Sequence, residues 1–327
     1  MRDGFGRTKV LYAPQCVFLS APVVEKIREF QKAGGILVAD ENLLPALKAD
    51  VVVPVVAQSD NLAPVSDHTD EVDAATKTRV NTAARRYTEK LKYDMVEKAE
   101  NLRRVLAERH AYEPKADSSS AEIVVYSRRW RDTPYVVAVN DMRTFGDYVG
   151  QWGCTMDKGL PYDGSVYLAD PEKAIGAVYE LSRGGEVRFS RDAQGRVVVP
   201  LSFETTDGRL LVFLKRKIAS VGVVVNDAPI APGGEIAVKM TVCDEFGAPV
   251  PARLPVEIRV YDAAGRELDG AGYACAVDGT CELKVVTNLN DAPGGYRVVC
   301  RDRASGLVKT VFCRQQLVKT KKGEARL

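Results

Sequence analysis

The chain has 327 residues, of which 46% are hydrophobic and 28% charged, and its formal net charge is +2. This length allows two or three domains, and the composition is that of a globular protein. The nearly balanced charge gives no reason to expect a nucleic-acid partner, and no stretch reaches the roughly 20 apolar residues that a membrane span requires. The residues after Met1 are polar, so no signal peptide is predicted.

A strand–helix–strand unit is predicted near the start of the chain. Residues 9–13 and 36–39 are short apolar runs, and residues 20–33 between them repeat apolar side chains at helical spacing. Ser20 is a candidate N-cap, and Gly34 with Gly35 ends the helix. A crossover helix between two apolar strands predicts a parallel pair, and parallel sheets are covered on both faces. Two strands and one helix cannot cover both faces of the sheet, so we expect the unit to be part of a larger domain.

A strongly helical segment is predicted from about Thr69 to His110. Apolar residues recur there at steps of three and four, with Lys, Arg and Glu between them. Acidic residues such as Asp70 favour the helix start, and basic residues such as Arg103 favour its end. Its narrow apolar stripe suits packing on its own domain, which we favour, or along another subunit.

The sequence beyond a predicted linker at residues 113–120 alternates with period two, and turn signals separate short apolar runs. Six strands are predicted first, at residues 122–127, 135–140, 165–168, 177–181, 196–201 and 210–215. Six more follow at residues 219–225, 235–243, 255–261, 279–287, 295–301 and 307–313. The first set is typical of a sandwich or barrel, and the second fits an immunoglobulin-like sandwich.

The predicted fold class is therefore α/β plus all-β. We expect a partial α/β domain at residues 1–66, a helical segment at 67–116, a β-sandwich at 121–217, an immunoglobulin-like β-sandwich at 219–315 and a basic tail at 316–327.

Five of the seven cysteines fall in the last third of the chain. Cys275 and Cys281 flank a predicted Asp-Gly turn, and Cys300 and Cys313 lie on neighbouring predicted strands. Either pair forms a cross-strand disulfide in an oxidising compartment; the alternative is free thiols that pack as small apolar groups. No pair has the spacing of zinc ligands, so no metal site is predicted.

The strand–helix–strand unit lacks the residues that nucleotide binding or nucleophilic catalysis would require. The loop after the first strand has no glycine to cradle a pyrophosphate, so no cofactor is predicted. Cys16 as a nucleophile would need a histidine base, and only His68 and His110 exist, so an inert packed thiol is favoured. Asp40 and Glu41 follow the second strand, where loop solvation or helix capping is favoured over acid–base chemistry. We predict no catalytic residue.

Residues 140–153 form a dense cluster of glycine, aromatic and hydrogen-bonding residues, and the cluster predicts a rigid surface loop. Aromatic rings beside amides, carboxylates and an arginine suit sugar binding by stacking and bidentate hydrogen bonds. The favoured alternative is that the rings pin the loop and the polar groups satisfy its backbone. The candidate carbohydrate-binding residues are Asn140, Arg143, Asp147, Tyr148, Gln151 and Trp152.

Three runs at the start of the chain carry a resemblance to a known family. Lys9-Val-Leu-Tyr-Ala-Pro14, Val24-Glu-Lys-Ile-Arg-Glu-Phe30 and Lys32-Ala-Gly-Gly-Ile-Leu-Val-Ala-Asp40 together resemble the β-galactosidase trimerisation domain. That resemblance implies an amidotransferase-like, flavodoxin-like fold, of which residues 1–66 are a part. Working amidotransferases place a nucleophilic cysteine in an elbow after the next strand. Glu41-Asn42-Leu43 stands there in this chain, so the resemblance implies no such chemistry.

Two further resemblances concern the β-rich sequence. The strand with Val137-Ala-Val-Asn-Asp141 is similar to the C-terminal β-sandwich of the same enzymes, and the last hundred residues resemble bacterial immunoglobulin-like or macroglobulin-like repeats. Together they imply a non-catalytic C-terminal portion of a large glycoside-hydrolase-like protein that partners an upstream catalytic domain and forms homo-oligomers. The parent protein is expected to be secreted, periplasmic or at the cell surface. The alternative is a carbohydrate-binding or cell-surface adhesion module that uses residues 145–152.

Overall fold

The computed structural model describes residues 5–6, 8–14, 16, 18–53, 70–72, 79–81, 99–109, 114–149 and 155–316. The fold is mostly β, with 49% of residues in strands that form several sheets. The chain divides into two compact units, residues 1–114 with 143–159, and residues 115–142 with 160–327. Neither helix in the described ranges has the length and apolar composition needed to cross a membrane.

The first unit holds a small parallel sheet. Its elements are β1 (Val10–Ala13), helix α1 (Ala21–Lys32), β2 (Ile36–Ala39), a 3-10 turn (Glu41–Leu43) and β3 (Val51–Val52), with the strand order β1-β2-β3. α1 covers one face, where Ile27 packs with Leu37, and helix α2 (residues 99–108) covers the other, where Leu106 packs with Val38. The sheet is therefore covered on both faces, as its parallel pairing requires.

Helix α1 begins and ends where the sequence predicts. Ser20 is the N-cap residue, and its carbonyl oxygen accepts the N–H of Val24, although its side chain makes no capping hydrogen bond. Gly34 ends the helix at a φ of +91°, a conformation that suits glycine. A Cβ at Gly35 would overlap the ring of Phe30 at 2.3 Å, so this glycine allows the chain to turn close under the helix.

The helical segment predicted for residues 69–110, with a break near Asn81 and Thr82 as the alternative, is wrong at residues 70–72 and 79–81. Residues 70–72 and 79–81 form a short antiparallel pair, β4 (Asp70–Val72) and β5 (Arg79–Asn81), in which Glu71 lies opposite Val80. The β-branched residues Val72 and Val80 disfavour a helix at these positions, and cross-strand pairing outweighs the helical spacing. Only residues 99–108 are helical among the described residues of this range.

Ten strands follow in residues 116–214. They are β6 (Ala116–Ser118), β7 (Ile123–Trp130), β8 (Thr133–Asn140), β9 (Arg143–Val149), β10 (Thr155–Gly159), β11 (Tyr162–Leu168), β12 (Ala177–Glu180), β13 (Ser190–Arg191), β14 (Val197–Phe203) and β15 (Gly208–Leu214). Two four-stranded sheets, β13-β14-β11-β6 and β12-β15-β8-β7, enclose a core that includes Val136, Val166 and Phe213. We call residues 115–142 and 160–217 the first β-region.

Two predictions for this part are corrected. Residues 116–118, predicted as linker, are a strand because Ala116 to Ser118 pair with β11. Residues 143–149, predicted as a loop, are the strand β9, which pairs with β10 as a hairpin. Thr144, Phe145 and Tyr148 are residue types that favour a strand, and Gly146 between them does not prevent it.

Residues 218–316, which we call the second β-region, contain seven antiparallel strands. They are β16 (Ile218–Val225), β17 (Glu235–Asp244), β18 (Arg253–Tyr261), β19 (Gly272–Val277), β20 (Thr280–Val286), β21 (Gly295–Asp302) and β22 (Val308–Arg314). All seven are hydrogen-bonded in the order β16-β17-β20-β19-β18-β21-β22, and we call β16-β17-β20 one layer and β19-β18-β21-β22 the other. A single residue pair, Val277 with Thr280, joins β19 to β20 at the edge between the layers. Inward residues such as Met240, Ile258 and Tyr296 fill the core.

Candidate functional site

Asn140 ends β8 and is 4% exposed. Its side-chain Nδ2 donates to the carbonyl oxygens of Leu160 and Glu204 at 2.7 and 2.9 Å, and its Oδ1 accepts the N–H of Met142 at 2.9 Å. The amide thus joins three backbone segments at the base of the β9–β10 hairpin. These three bonds engage both polar atoms of the Asn140 side chain within the fold, and sugar binding by this residue stays a prediction.

The other predicted carbohydrate-binding residues are not brought into a described site. Arg143 opens β9 and is exposed. Asp147 and Tyr148 lie in the backbone of β9, but their side chains lie outside the described residues, as do Gln151 and Trp152 entirely. Sugar binding by this hairpin therefore stays a prediction.

The α/β unit uses its candidate chemical groups for packing and capping. Asp40 is 3% exposed, and its Oδ1 accepts the N–H of Asn42 at 2.9 Å, which starts the 3-10 turn at Glu41. Cys16 is half-buried and packs against the apolar cluster between α1 and the sheet. His68 and His110 lie outside the described residues. No group of three His, Cys, Asp or Glu side chains with metal-site geometry occurs in the described ranges.

The cysteines of the second β-region are free thiols in the structure. Cys300 lies opposite Lys309, and Cys313 lies opposite Tyr296, so the two are four positions apart along the ladder. That is about 13 Å, too far for a disulfide. Cys275 is exposed while Cys281 is buried, so neither predicted pair is bonded. Burial raises the pKa of Cys300 to about 12, which suits an inert packed thiol.

The most extensive polar arrangement outside these predicted sites is the junction between the two β-regions. The hydroxyl of Tyr135 on β8 donates to the carbonyl oxygen of Arg253 at 3.0 Å and accepts the N–H of the same residue at 2.6 Å. Thr133 donates its hydroxyl to the carbonyl oxygen of Pro251 at 2.6 Å. Because burial raises the pKa of Tyr135, the hydroxyl keeps its proton at neutral pH and remains a donor.

The turn between β7 and β8 completes the junction. Trp130 Nε1 donates to Oδ1 of Asp278 at 3.1 Å, and the guanidinium of Arg131 lies 2.7 Å from Oδ2 of the same carboxylate. The guanidinium of Arg253 lies 3.9 Å from the centre of the Trp130 ring, in cation–π geometry. Asp278 and Arg253 of the second β-region thus hold the turn between β7 and β8 of the first.

A shared apolar core lies beside these polar contacts. Tyr179 and Val212 of the first β-region pack in the same cluster as Ile218 and Val221 of the second. The hydroxyl of Tyr179 accepts the N–H of Ile218 at 2.9 Å, where the chain passes between the regions. The two regions therefore form one body. Sequence reasoning missed the junction because its partners lie more than 100 residues apart, and only the Asp278-Gly279 turn signal points to its place.

Neither family models nor curated proteins match this chain. Similar solved structures include a rhamnosidase from Novosphingobium sp. PP1Y, with 11% identity and a TM-score of 0.33 over 91% of this chain and 29% of that chain. A β-glycosidase from Bacteroides vulgatus matches with 10% identity and a TM-score of 0.25 over 60% of this chain and 25% of its own. The Yersinia pseudotuberculosis adhesin InvE matches with 10% identity and a TM-score of 0.26 over 62% of this chain and 60% of its own.

Glycoside hydrolases are thus among the proteins to which this chain is similar in structure, at low identity and low TM-score. The chain spans less than two thirds of the length of each of these proteins. TM-scores below 0.5 carry no argument about function.

Proposed function

We propose that this chain is a non-catalytic portion of a large glycoside-hydrolase-like protein of the β-galactosidase type. Residues 1–66 would be part of an amidotransferase-like, flavodoxin-like domain that serves packing or oligomerisation. The two β-regions would be accessory modules that act as a spacer. An upstream catalytic domain of the parent protein would be the principal partner.

The α/β assignment is supported by residues 9–40, which carry the sequence resemblance. β1 and β2 pair in parallel around α1, which agrees with the topology of such a domain. The strand order of the second β-region, with β16-β17-β20 in one layer and β19-β18-β21-β22 in the other, supports an immunoglobulin-like sandwich.

The junction at Tyr135 is the observation that carries the spacer role. A flexible string of modules needs only a linker, whereas here Tyr135, Thr133 and Trp130 fix one β-region to the next over a shared core. A hydroxyl that both donates and accepts fixes orientation, because either bond is lost if the regions rotate. A rigid double module holds whatever precedes it at a constant distance from whatever follows it.

The parent protein is tested by sequencing the DNA upstream of the codon for Met1. A barrel encoded in the same reading frame is expected, and an in-frame stop codon directly upstream would contradict the proposal.

Light scattering of the full chain tests oligomerisation. A monomer at every concentration would contradict this part of the proposal. Hydrolysis of a chromogenic galactoside by the chain alone would overturn the non-catalytic role. Binding of a neutral glycan that is lost in Tyr148→Ala and Trp152→Ala would favour the carbohydrate-binding alternative.

The spacer role predicts a specific result for Tyr135→Phe. Loss of the hydroxyl removes both hydrogen bonds to the backbone of Arg253, at a cost of about 0.5–1.5 kcal/mol for each bond. Scanning calorimetry of the wild type should show one transition for the two β-regions, and the variant should melt earlier with that transition broadened or divided.

Tyr126→Phe is the matched control, because Tyr126 is 49% exposed and its hydroxyl makes no hydrogen bond to the described residues. Equal melting curves for Tyr135→Phe and Tyr126→Phe would contradict the proposal that the junction makes the two β-regions a rigid spacer.

A further inference from the structure

The layer β19-β18-β21-β22 has one face in the core and one face in solvent. Residues alternate between these faces, so that Tyr296, Val298 and Cys300 are buried while their neighbours on β21 point outward. We call the outward side chains the arginine–aromatic face. Its members are Tyr273 on β19, Glu257, Arg259 and Tyr261 on β18, Arg297 and Arg301 on β21, and Phe312 and Arg314 on β22.

One row across this face alternates aromatic and basic side chains. Tyr261, Arg297 and Phe312 are direct neighbours on three adjacent strands. The guanidinium of Arg297 lies 4.2 Å from the centre of the Tyr261 ring, and Phe312 is 72% exposed on its other side. The row therefore presents an exposed cation beside an exposed apolar ring, on a backbone that three paired strands hold in place.

The free charge on the face is positive. Glu257 and Glu267 already hold Arg259, whose guanidinium lies 2.9 Å from the Glu257 carboxylate, and Glu257 also lies 3.5 Å from Arg303. Arg297, Arg301 and Arg314 are exposed and form no ion pair with the residues that the structure describes. Three arginines thus remain available to an anionic ligand.

The opposite layer of the same region differs in this respect. On its outward face Lys239 pairs with Glu282 at 2.9 Å, and Lys284 pairs with Glu235 at 3.1 Å. Its charges are neutralised across the strands, as is common on solvated sheets. The unpaired arginines on the other layer are therefore not a general property of this β-region.

The chemistry of the face indicates the class of ligand. β18 and β21 are interior strands, so their backbone N–H and C=O groups are already paired and an extended peptide cannot add beside them. Recognition on these two strands must come from side chains. Exposed aromatic rings stack on the apolar faces of sugar rings, and arginine binds carboxylates with two parallel hydrogen bonds.

We propose that the arginine–aromatic face binds a polysaccharide that carries carboxylates, with Arg297 and Arg301 on the carboxylates and Phe312 and Tyr273 under sugar rings. This inference goes beyond the proposed function and does not rest on it, because a spacer needs no ligand. A site here is also separate from the predicted hairpin site at residues 140–153.

The test is calorimetric titration of the full chain with an oligogalacturonate and with its fully methyl-esterified form, which keeps the rings and removes the charge. Binding of the acid and not of the ester is expected. The double variant Arg297→Gln with Arg301→Gln should weaken that binding at least about tenfold, because charge-assisted hydrogen bonds are lost. Phe312→Ala should weaken it by a smaller factor.

The matched control is Lys239→Gln with Lys284→Gln, which removes two cations from the opposite face and should leave affinity unchanged. Equal loss in this control, equal binding of acid and ester, or loss in Tyr148→Ala with Trp152→Ala would overturn the proposal. Equally tight binding of a polyglutamate peptide would overturn it in favour of an acidic protein partner. None of these outcomes bears on whether a catalytic barrel is encoded upstream, so the two proposals fail separately.

Discussion

Each β-region contains a strand end that an ion pair holds, and these two ion pairs are of different kinds. In the first, Arg209 on β15 reaches Glu180 on β12, 29 residues away, and both side chains are buried. In the second, Asp262 ends β18 and binds its own turn, where Arg266 follows four residues later. The first arrangement joins distant segments through buried charge, and the second closes a local loop. The difference teaches which polar groups hold the fold together and which hold only a turn.

The buried pair is the more demanding of the two. Arg209 Nη1 donates to both carboxylate oxygens of Glu180 at 3.0 and 2.9 Å, and its Nη2 donates to the carbonyl oxygen of Ser202 at 2.5 Å. Its Nε lies 3.0 Å from the carboxylate of Asp207, without hydrogen-bond geometry. Removal of Arg209 would leave the Glu180 carboxylate buried with a hydrogen bond from the Ser182 hydroxyl but without its cation.

Arg209→Met is the strongest way to sharpen this contrast. The variant leaves Glu180 as a buried carboxylate, and we expect the free energy of unfolding in urea to fall by about 3–5 kcal/mol. Adding Glu180→Leu should restore much of the loss, because an apolar pair has no charge to desolvate. Arg266→Met, which removes the exposed partner of the local pair, should cost clearly less. Equal losses for the two arginine variants would break the comparison.

Gly279 in the second β-region tests how much a local turn contributes to stability. Gly279 follows Asp278 in the turn between β19 and β20, at a φ of +74°. A Cβ there would lie 2.7 Å from the backbone nitrogen of Val250 and 2.9 Å from the carbonyl oxygen of Val242. Gly279→Ala combines this overlap with left-handed strain, so we expect a loss of about 2–4 kcal/mol in the free energy of unfolding.

Gly265→Ala is the control for that measurement. Gly265 has a φ of +81°, but a Cβ there would meet no atom within 4 Å. Only the conformational strain of about 1–2 kcal/mol applies. If urea unfolding gives the two alanine variants the same loss, close approach of the backbone at Gly279 contributes nothing.

The fold was predictable where the pattern is local. Strands such as β17 and β18 alternate strictly, and α1 has a start and a stop signal, so each lies within a few residues of its predicted place. β6 was missed because Ala116, Asp117 and Ser118 form a strand only when β11 supplies a partner. Residues 70–72 and 79–81 have helical spacing, yet pairing between β4 and β5 decides their structure.

The candidate site was less predictable for the same reason. The turn at Asp262 could be found from its Asp-x-x-Gly spacing, because every partner except Ala292 lies within four residues. Nothing in the sequence near Tyr135 indicates that its hydroxyl meets Arg253, 118 residues later. Asn140 was predicted as a sugar-binding residue by composition, and two of its three hydrogen-bond partners, Leu160 and Glu204, are also distant in sequence.

Asp262 gives the smallest expected effect, and it depends on pH. Burial opposes ionisation of this carboxyl, but the N–H groups of Ala292 and Arg266 and the Arg266 guanidinium outweigh it and lower the pKa of Asp262 to about 2. A carboxyl whose pKa is lower in the folded state stabilises the protein above its unfolded pKa of about 3.9, and this stabilisation is lost as the pH falls towards 2.

Asp262→Asn should therefore lower the midpoint of urea unfolding at pH 5, and the midpoint of the variant should fall less steeply between pH 4 and pH 2. Asp269→Asn, at an exposed carboxylate without a hydrogen bond to the described residues, should leave both unchanged. If the urea midpoint of Asp262→Asn depends on pH as the wild-type midpoint does, the charge of Asp262 contributes nothing to the stability of the turn. The turn would then be held by hydrogen-bond geometry alone.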